Sequence, residues 1–503
     1  MSTIYIEKIN ESTLRVTSND FGIEQELNEY LSFRPEGYQF MPAYKAKIWD
    51  GIVAMFDIHR KTLAYGLLEY VYKFAEERDY KVNLVGEMNT GIDVSTEEIN
   101  AFIDSLNLHT GGKKISLRDY QIDAVVQSIR RGRMIALSPT SSGKSAIIYC
   151  YIRFMLERGE RILLAVPSTS LVTQMYSDFE DYSSANGWDV AANVHQLYSG
   201  KEKTFDKPVL FCTWQSIHAM SKQKTKAVND FYASWTVYIG DEAHRFASAS
   251  LMQISNRLVN AKYRLGTTGT LNDAKVSKLN LEGSFGAVYR VITTKQLMDA
   301  GQVVKLKIKC LLLDYPEHIK KLLKDVEYQK EMDYITQCKQ RNDFIVNLAK
   351  ATKGNTLILF NFVEKHGKPL FKLLQEKCPD RPLFYISGEV ATEERERIRK
   401  VLSEHSDAIV AASYATLSTG VNIPSIENVI FASPGKSKIR NLQSIGRGLR
   451  LKEGKTSCNL FDIADNFALK SKLNTTMRHF RERIETYQEE QFEFTIKQIA
   501  MNI

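Results

Sequence analysis

Arg133-Met134-Ile135-Ala136-Leu137-Ser138-Pro139-Thr140-Ser141-Ser142-Gly143-Lys144-Ser145 decides how the chain is read. A short apolar run predicts a buried strand. A tight polar turn follows, and Gly-Lys-Ser opens an apolar stretch with helical spacing. A helix that starts straight out of such a turn leaves its first amide N–H groups free, and they attract phosphate. Lys144 then reaches the β and γ oxygens of a nucleotide and Ser145 ligates Mg²⁺, with Thr140 and Gly143 beside the phosphates. Ser138 stands where this loop pattern usually has its first glycine, and Ser141 where a second is common.

Outward from this loop the pattern repeats. Short β-branched runs at 133–138, 161–167, 209–213 and 237–240, then at 355–361, 407–412 and 428–432, alternate with helical stretches. Runs of that length bounded by turn residues are the mark of buried parallel strands, and helices between them make βαβ units. The fold class is therefore α/β, with two parallel-sheet domains in tandem. The mixed segment 272–305 separates them, and a hinge is expected near 301–306.

About 100 residues after the loop, Val237-Tyr238-Ile239-Gly240 delivers Asp241-Glu242-Ala243-His244. An apolar strand ending in two carboxylates suits a Mg-nucleotide site. Asp241 would hold the metal through water, and Glu242 would orient and deprotonate the attacking water. In the second group, Gln443-Ser444-Ile445-Gly446-Arg447-Gly448-Leu449-Arg450 sets two arginines three apart on one helical face. Guanidinium groups so placed stabilise charge on a transferring phosphoryl group.

The composition is that of packed globular protein: 503 residues, 44% hydrophobic and 25% charged. No apolar run approaches the roughly 20 residues that span a bilayer, and residues 1–20 lack the apolar core of a secretory leader. Six cysteines stand singly, without metal-ligand spacing, as expected of buried free thiols in a reducing cytoplasm. The net charge of +8 divides unevenly, because residues 1–110 carry 10 basic and 18 acidic side chains. The remainder is strongly basic, so a polyanion should meet the later part of the chain.

Residues 1–110 predict a small α+β domain, with alternating segments at 4–6, 13–16 and 52–56, helical stretches at 67–78 and 96–107, and a Gly-Gly-Lys-Lys linker after them. Within it, Tyr38, Phe40, Tyr44, Lys45, Lys47 and Trp49 interleave aromatics with bases, which suits either stacking on nucleic acid or a small core. Residues 474–494 are charged with helical spacing and are expected to form an exposed closing helix.

Taken together, these motifs resemble a superfamily 2 helicase, in which two RecA-like domains bind ATP between them. Leu117-Arg118-Asp119-Tyr120-Gln121 resembles the family's adenine-reading motif, with Gln121 on the base. Ala165-Val166-Pro167-Ser168-Thr169-Ser170-Leu171, Cys212-Thr213-Trp214-Gln215-Ser216 and Ile386-Ser387-Gly388 resemble motifs that hold the nucleic-acid backbone. The resemblance assigns Pro167, Thr169, Thr213, Gln215, Ser387, Gly388 and Thr419 to that role. Thr267-Thr268-Gly269-Thr270 matches the segment that couples hydrolysis to strand movement, with Gly269 replacing the usual Ala. Thr268, Thr270, His244 and Gln443 are the implied couplers. Ser418-Thr419-Gly420-Val421-Asn422-Ile423-Pro424 completes the set, Gly420 near the nucleotide and Asn422 where many relatives carry Asp.

Gly37-Tyr38-Gln39-Phe40-Met41-Pro42, Trp49-Asp50-Gly51, Gly66-Leu67 and Ser433-Pro434-Gly435-Lys436-Ser437-Lys438-Ile439 narrow the resemblance to the UvsW-type recombination helicases of tailed phages. It implies an accessory domain at 1–110, an ATP-binding RecA-like domain at 111–303 and a second RecA-like domain with its C-terminal helix at 304–503. The implied activity is ATP- and Mg²⁺-dependent unwinding or migration of branched DNA, moving 3′ to 5′, with single strand, duplex branches or RNA–DNA hybrid as partner. A host-cell cytoplasmic location and no membrane contact go with it, and the oligomeric state, a monomer included, is left open. Two other readings stay open beside it: a duplex translocase that does not unwind, and a strand-annealing protein whose ATP site is regulatory.

Overall fold

Alternation of apolar and polar residues along the first eighteen positions builds a hairpin in the computed structural model, which describes residues 2–88, 91–198, 206–246, 248–271, 274–388, 401, 404–418, 426–433, 435, 455–469 and 472–503. Ile4 and Ile6 of β1 (Thr3–Lys8) and Leu14 and Val16 of β2 (Thr13–Ser18) all point to one side and are fully buried. Helix α1 (Phe21–Tyr30) starts where the Asp20 carboxylate accepts the Gly22 amide. With β3 (Phe56–Asp57), β4 (Thr62–Ala64), α2 (Leu68–Glu76) and β5 (Lys81–Val85), these elements form a five-stranded sheet of order β3-β4-β2-β1-β5. The aromatic–basic stretch 38–49 stays out of this core: Phe40 is 70% and Ile48 83% exposed.

Residues 91–110, which the sequence groups with the N-terminal domain, pack elsewhere. Helix α3 (Thr96–Ser105) buries Ile99 and Ile103 in the same core as Val125 and Ile129 of α4 (Asp119–Arg131). The apolar face of α3 fixes that choice, because the N-terminal sheet already closes its own core with Val71 and Phe74.

The next seven strands are β6 (Arg133–Leu137), β7 (Ile162–Val166), β8 (Val194–Leu197), β9 (Val209–Thr213), β10 (Val237–Asp241), β11 (Tyr263–Thr268) and β12 (Val288–Arg290). They make one all-parallel sheet of order β8-β9-β7-β10-β11-β6-β12. Helices α5 (Lys144–Glu157) and α6 (Thr169–Ser183) cover one face through the cluster containing Tyr149, Phe179 and Phe211. On the other face, Phe285 at the end of α7 (Lys275–Phe285) lies on Gly240 and Gly266, which are register partners. A Cβ on Gly240 would meet the Phe285 ring at 2.5 Å, so only glycine leaves room for it.

The N-terminal sheet is seated on the amino ends of these strands. Arg133, first residue of β6, donates to the Glu11 carbonyl at 2.6 Å and carboxylate at 2.9 Å, and lies over the Tyr65 ring at 4.2 Å. Arg264 of β11 is fully buried and donates to Ser12 Oγ at 2.7 Å and to the Leu258 carbonyl at 2.8 Å. Tyr70 donates to Glu282 of α7 at 2.7 Å. Four residues of strand, about 13 Å, separate Arg133 from the carboxyl end of β6.

The chain divides into two compact units, Thr293–Ile503 with Pro139–Ser141 forming the second. The second holds β13 (Lys305–Asp314), α8 (Lys339–Ala351), β14 (Thr356–Phe360), β15 (Leu383–Ile386), β16 (Ile409–Ser413), β17 (Asn428–Phe431), β18 (Ser457–Asn466), α9 (Thr475–Glu489) and β19 (Phe494–Ala500). Its sheet is again all parallel and seven-stranded, of order β15-β16-β14-β17-β18-β13-β19. The expected exposed closing helix is corrected here. Helix α9 buries Met477, Phe480, Arg483 and Tyr487, and the chain after it adds β19 alongside β13. Its charge pattern misleads because Arg483 is neutralised inside, by Asp462.

All six cysteines are buried and free. No helix among the described residues is long and apolar enough to cross a membrane. Arg341 of α8 and Asp465 of β18 are fully buried, with Nε–Oδ1 at 2.7 Å and Nη2–Oδ2 at 3.0 Å, and Tyr315 donates to the same carboxylate. Arg341→Met leaves that charge without its partner and should lower the unfolding free energy of the second unit by about 3–5 kcal/mol. Denaturant titration of the variant measures this, and an unchanged midpoint would refute it.

Candidate nucleotide site and nucleic-acid loops

Strand β6 ends at Leu137, and the Ser138 amide is tied to the Thr268 carbonyl at 2.9 Å, so the phosphate loop leaves the sheet beside the end of β11. Ser138 and Ser142 are buried and share a hydroxyl hydrogen bond of 2.6 Å, which closes the loop where a glycine pattern would leave it open. Ser141 takes φ +70° and Gly143 φ +82°. Gly143 caps α5, whose first residue is Lys144. The Lys144 ammonium donates to the Ser138 carbonyl at 3.1 Å and stands 3.7 Å from Glu242 Oε1.

Gln121, the residue assigned to the base, is buried on α4. Its Nε2 donates to the Ser142 carbonyl at 2.8 Å and its Oε1 accepts the Arg118 amide at 2.8 Å. Tyr120 reaches the same Ser142 carbonyl at 3.1 Å. The Ser145 hydroxyl is hydrogen-bonded to Tyr182 of α6 at 2.8 Å. Sequence reasoning missed both tyrosines. Tyr120 lies inside the quoted Arg-Asp-Tyr-Gln stretch, whereas nothing local to Tyr182 signals its contact.

Asp241 ends β10 and accepts the Thr267 hydroxyl at 2.6 Å across the register pair Asp241–Thr267. Burial and the adjacent Glu242 push the Asp241 carboxyl up to about 6, against the pull of Lys144 and the Thr267 hydrogen bond. Burial also works against charge on Glu242, but the Lys144 ammonium, with Arg245, outweighs it and holds that carboxyl below its ordinary value. Glu242 sits at φ +48°, left-handed for a residue with a side chain, the kind of strain that collects at working sites. Its Oε2 is buried and accepts no hydrogen bond among the described residues.

His244 is buried and held neutral, its pKa lowered to about 4 chiefly by desolvation. Its Nδ1 lies 2.6 Å from Thr268 Oγ1, and Thr268 gives its one hydroxyl proton to the Thr270 carbonyl at 2.6 Å. The Thr268 oxygen must therefore accept from His244, which fixes the Nδ1–H tautomer. The structure thus brings Lys144, Asp241, Glu242, His244, Thr267, Thr268 and Thr270 together.

A buried and a half-buried carboxylate, Asp241 and Glu242, stand beside Lys144 here, a donor set that suits a cation. Hard oxygen donors in small number are what Mg²⁺ takes when phosphates supply the rest. Asp241 and Ser145 fit that role. No cluster of three or more metal-type side chains occurs among the described residues.

The loops assigned to nucleic acid lie at neighbouring carboxyl ends. Thr169 is exposed at the start of α6, and Gln215 donates from Nε2 to the Pro167 carbonyl at 3.2 Å, joining the loops after β7 and β9. Thr213 is buried and hydrogen-bonded to Ser216 at 2.8 Å. In the second unit Ser387 and Gly388 follow β15, with Ser387 buried. Thr419, Gly420, Asn422, Gln443, Arg447 and Arg450 lie outside the described residues.

Two consequences are measurable. Ser141→Gly removes left-handed strain of about 1 kcal/mol and should raise the thermal midpoint while leaving nucleotide affinity intact. Gly143→Ala puts a Cβ 2.2 Å from Gln121 Nε2 at a left-handed φ, and titration with a fluorescent ATP analogue should show binding reduced at least tenfold.

Three family models match successive parts of the chain. The UvsW N-terminal domain of DNA helicases matches residues 8–85, the res subunit of type III restriction enzymes residues 114–273, and the helicase conserved C-terminal domain residues 339–452. The ATP-dependent DNA helicase uvsW of Enterobacteria phage T4 is 33% identical over 495 residues, 95% of each chain. The crystal structure of T4 UvsW covers 99% of both chains with a TM-score of 0.53 and 30% identity. The DNA 3′-5′ translocase XPB2 of Sulfurisphaera tokodaii is 23% identical over 70% of this chain and 82% of its own length. A phosphate loop, an Asp-Glu strand end and a second parallel sheet, with similarity running almost end to end, make this chain a member of the UvsW family of superfamily 2 DNA helicases.

Proposed function

We propose that this ATP-dependent DNA helicase works on branched DNA, unwinding or migrating forks, four-way junctions, D-loops and R-loops during recombination, repair and replication restart. The observation that carries the reading is similarity to T4 UvsW over 95% of the chain, the N-terminal module included. Lys144 binds the β/γ oxygens, Gln121 turns from Ser142 to the adenine, and Glu242 orients and deprotonates the attacking water. Ser145 and Asp241 would hold Mg²⁺, which when bound would neutralise charge on the phosphates. Arg447 and Arg450 supply cations for the transferring phosphoryl group, and Gln443 reports on it. His244, as a neutral Nδ1–H donor to Thr268, passes the nucleotide state to the Thr267–Thr270 segment.

Contacts from Thr169, Thr213, Gln215, Ser387 and Thr419 go to phosphates, which makes binding largely independent of sequence. Movement runs 3′ to 5′, a direction supported by the likeness to the archaeal translocase. The working site is the host-cell cytoplasm. A second reading, duplex translocation without strand separation, draws on the match of residues 114–273 to the res subunit of type III restriction enzymes. Triplex displacement compared with fork unwinding separates the two.

Steady-state ATP hydrolysis with single strand, duplex, fork, four-way junction and RNA–DNA hybrid at two salt concentrations tests the main reading. Branched substrates should stimulate most, and less at high salt. Hydrolysis indifferent to nucleic acid would overturn it. Lys144→Ala should abolish both hydrolysis and unwinding, whereas Glu242→Gln should retain ATP binding and lose turnover by at least a hundredfold.

A further inference from the structure

Tyr182 stands near the end of α6, and no motif marks it. Its hydroxyl lies 2.8 Å from Oγ of Ser145, the second residue of α5. Asp178, one turn earlier on α6, is within hydrogen-bonding reach of the same Ser145 hydroxyl and of Gln174. A serine hydroxyl has one proton and two lone pairs, and an ionised carboxylate only accepts. The Ser145 proton therefore goes to Asp178, and the proton between Ser145 and Tyr182 is the tyrosine's. One lone pair of Ser145 then remains for a cation.

The end of α6 that carries these groups is tied down by two neighbours, α5 and the segment 106–111. The Tyr182 ring lies edge-on to Tyr149 of α5, with centroids 5.5 Å apart. Tyr149 in turn is hydrogen-bonded to Ser183 at 2.9 Å and accepts from Arg153 at 2.6 Å. Asp181 accepts the Thr110 hydroxyl at 2.7 Å and the Gly111 amide at 2.9 Å. Asn186, just past the helix, donates to the Leu106 carbonyl at 2.6 Å. A phenyl ring would pack on Tyr149 as well as a phenol does, so packing accounts for the ring and Ser145 for its oxygen.

We infer that Tyr182, with Asp178, is a positioning residue for the metal of the nucleotide site, holding the Ser145 hydroxyl in an orientation that leaves a lone pair for Mg²⁺. The inference rests on the reading of Ser145 as the hydroxyl that would hold that ion. A hydroxyl free to turn about its Cβ–Oγ bond offers its proton as readily as its lone pairs. Fixed partners for the proton and for one lone pair remove that freedom before the ion arrives, and a carboxylate drawing on the proton makes the oxygen a better ligand.

Binding of a fluorescent, non-hydrolysable ATP analogue, titrated once with Mg²⁺ and once with EDTA, gives for each variant the ratio of the two affinities. Tyr182→Phe keeps the ring and should lower that ratio about tenfold, the lower end of what losing such an outer partner costs a metal site. The Mg²⁺ concentration for half-maximal hydrolysis should rise in step. A purely structural role would weaken both titrations together and leave the ratio at its wild-type value, which would overturn the inference. Ser145→Ala is the control. A wild-type ratio in that variant overturns the underlying reading of Ser145, whereas a lowered ratio there beside a wild-type ratio in Tyr182→Phe overturns this inference alone. If Tyr182→Phe does not fold, Asp178→Ala takes its place, and an unchanged ratio in that variant overturns the inference as well.

Discussion

Parallel, in-register pairing of β6, β10 and β11 is the constraint on which the nucleotide site depends. Leu137 pairs with Thr268 and Asp241 with Thr267, so three strands that are far apart in sequence end level with one another. A parallel sheet sends every carboxyl end to the same edge, and here level endings bring the phosphate loop, the Asp-Glu turn and the Thr-Thr-Gly-Thr segment into hydrogen-bonding range. Packing beneath them is equally specific. Gly240 and Gly266 lie opposite each other, and Phe285 fills the space their missing side chains leave, stacked on Tyr238 at 5.0 Å. The glycine before Asp241 therefore serves the back of the sheet, while the carboxylate after it serves the edge.

The amino ends of the same strands carry the opposite charge. Arg133 and Arg264 are both enclosed; burial lowers the pKa of each, the Arg133 charge lowers that of Arg264 further, and the Glu11 carboxylate of the N-terminal module works against both. Arg264 is otherwise solvated by carbonyls and hydroxyls, Ser12 among them. Burying two guanidinium groups without those partners would be costly. The N-terminal sheet thus packs on the amino ends of strands whose carboxyl ends lead into the phosphate loop and the Thr-Thr-Gly-Thr segment.

Sequence made the candidate nucleotide edge legible because its residues are consecutive: Gly143-Lys144-Ser145, Asp241-Glu242 and Thr267–Thr270 each stand out within a few positions. The two parallel sheets were legible for a related reason, since buried parallel strands read as continuous apolar runs. What stayed hidden depends on distant partners. Tyr182 meets Ser145 across 37 positions. Helix α3 looked like part of the N-terminal domain until its apolar face met α4. Residues 474–494 looked solvated because a buried arginine counts as a charge in composition, whatever it does in the fold.

Strand β18 shows why such charges are kept. Asp462 and Asp465 are three apart and so face opposite sides of the sheet. Each is claimed by an arginine from a different helix, Asp462 by Arg483 and Asp465 by Arg341. Apolar residues of similar volume could fill both sites at no loss, and often a gain, in stability. They would also tolerate small slips of helix against sheet, whereas a bidentate pair accepts one register only. The strand held in this way pairs in turn with β17. Paired buried charges on both faces of one strand thus define how two helices sit against this sheet, where hydrophobic packing alone would not.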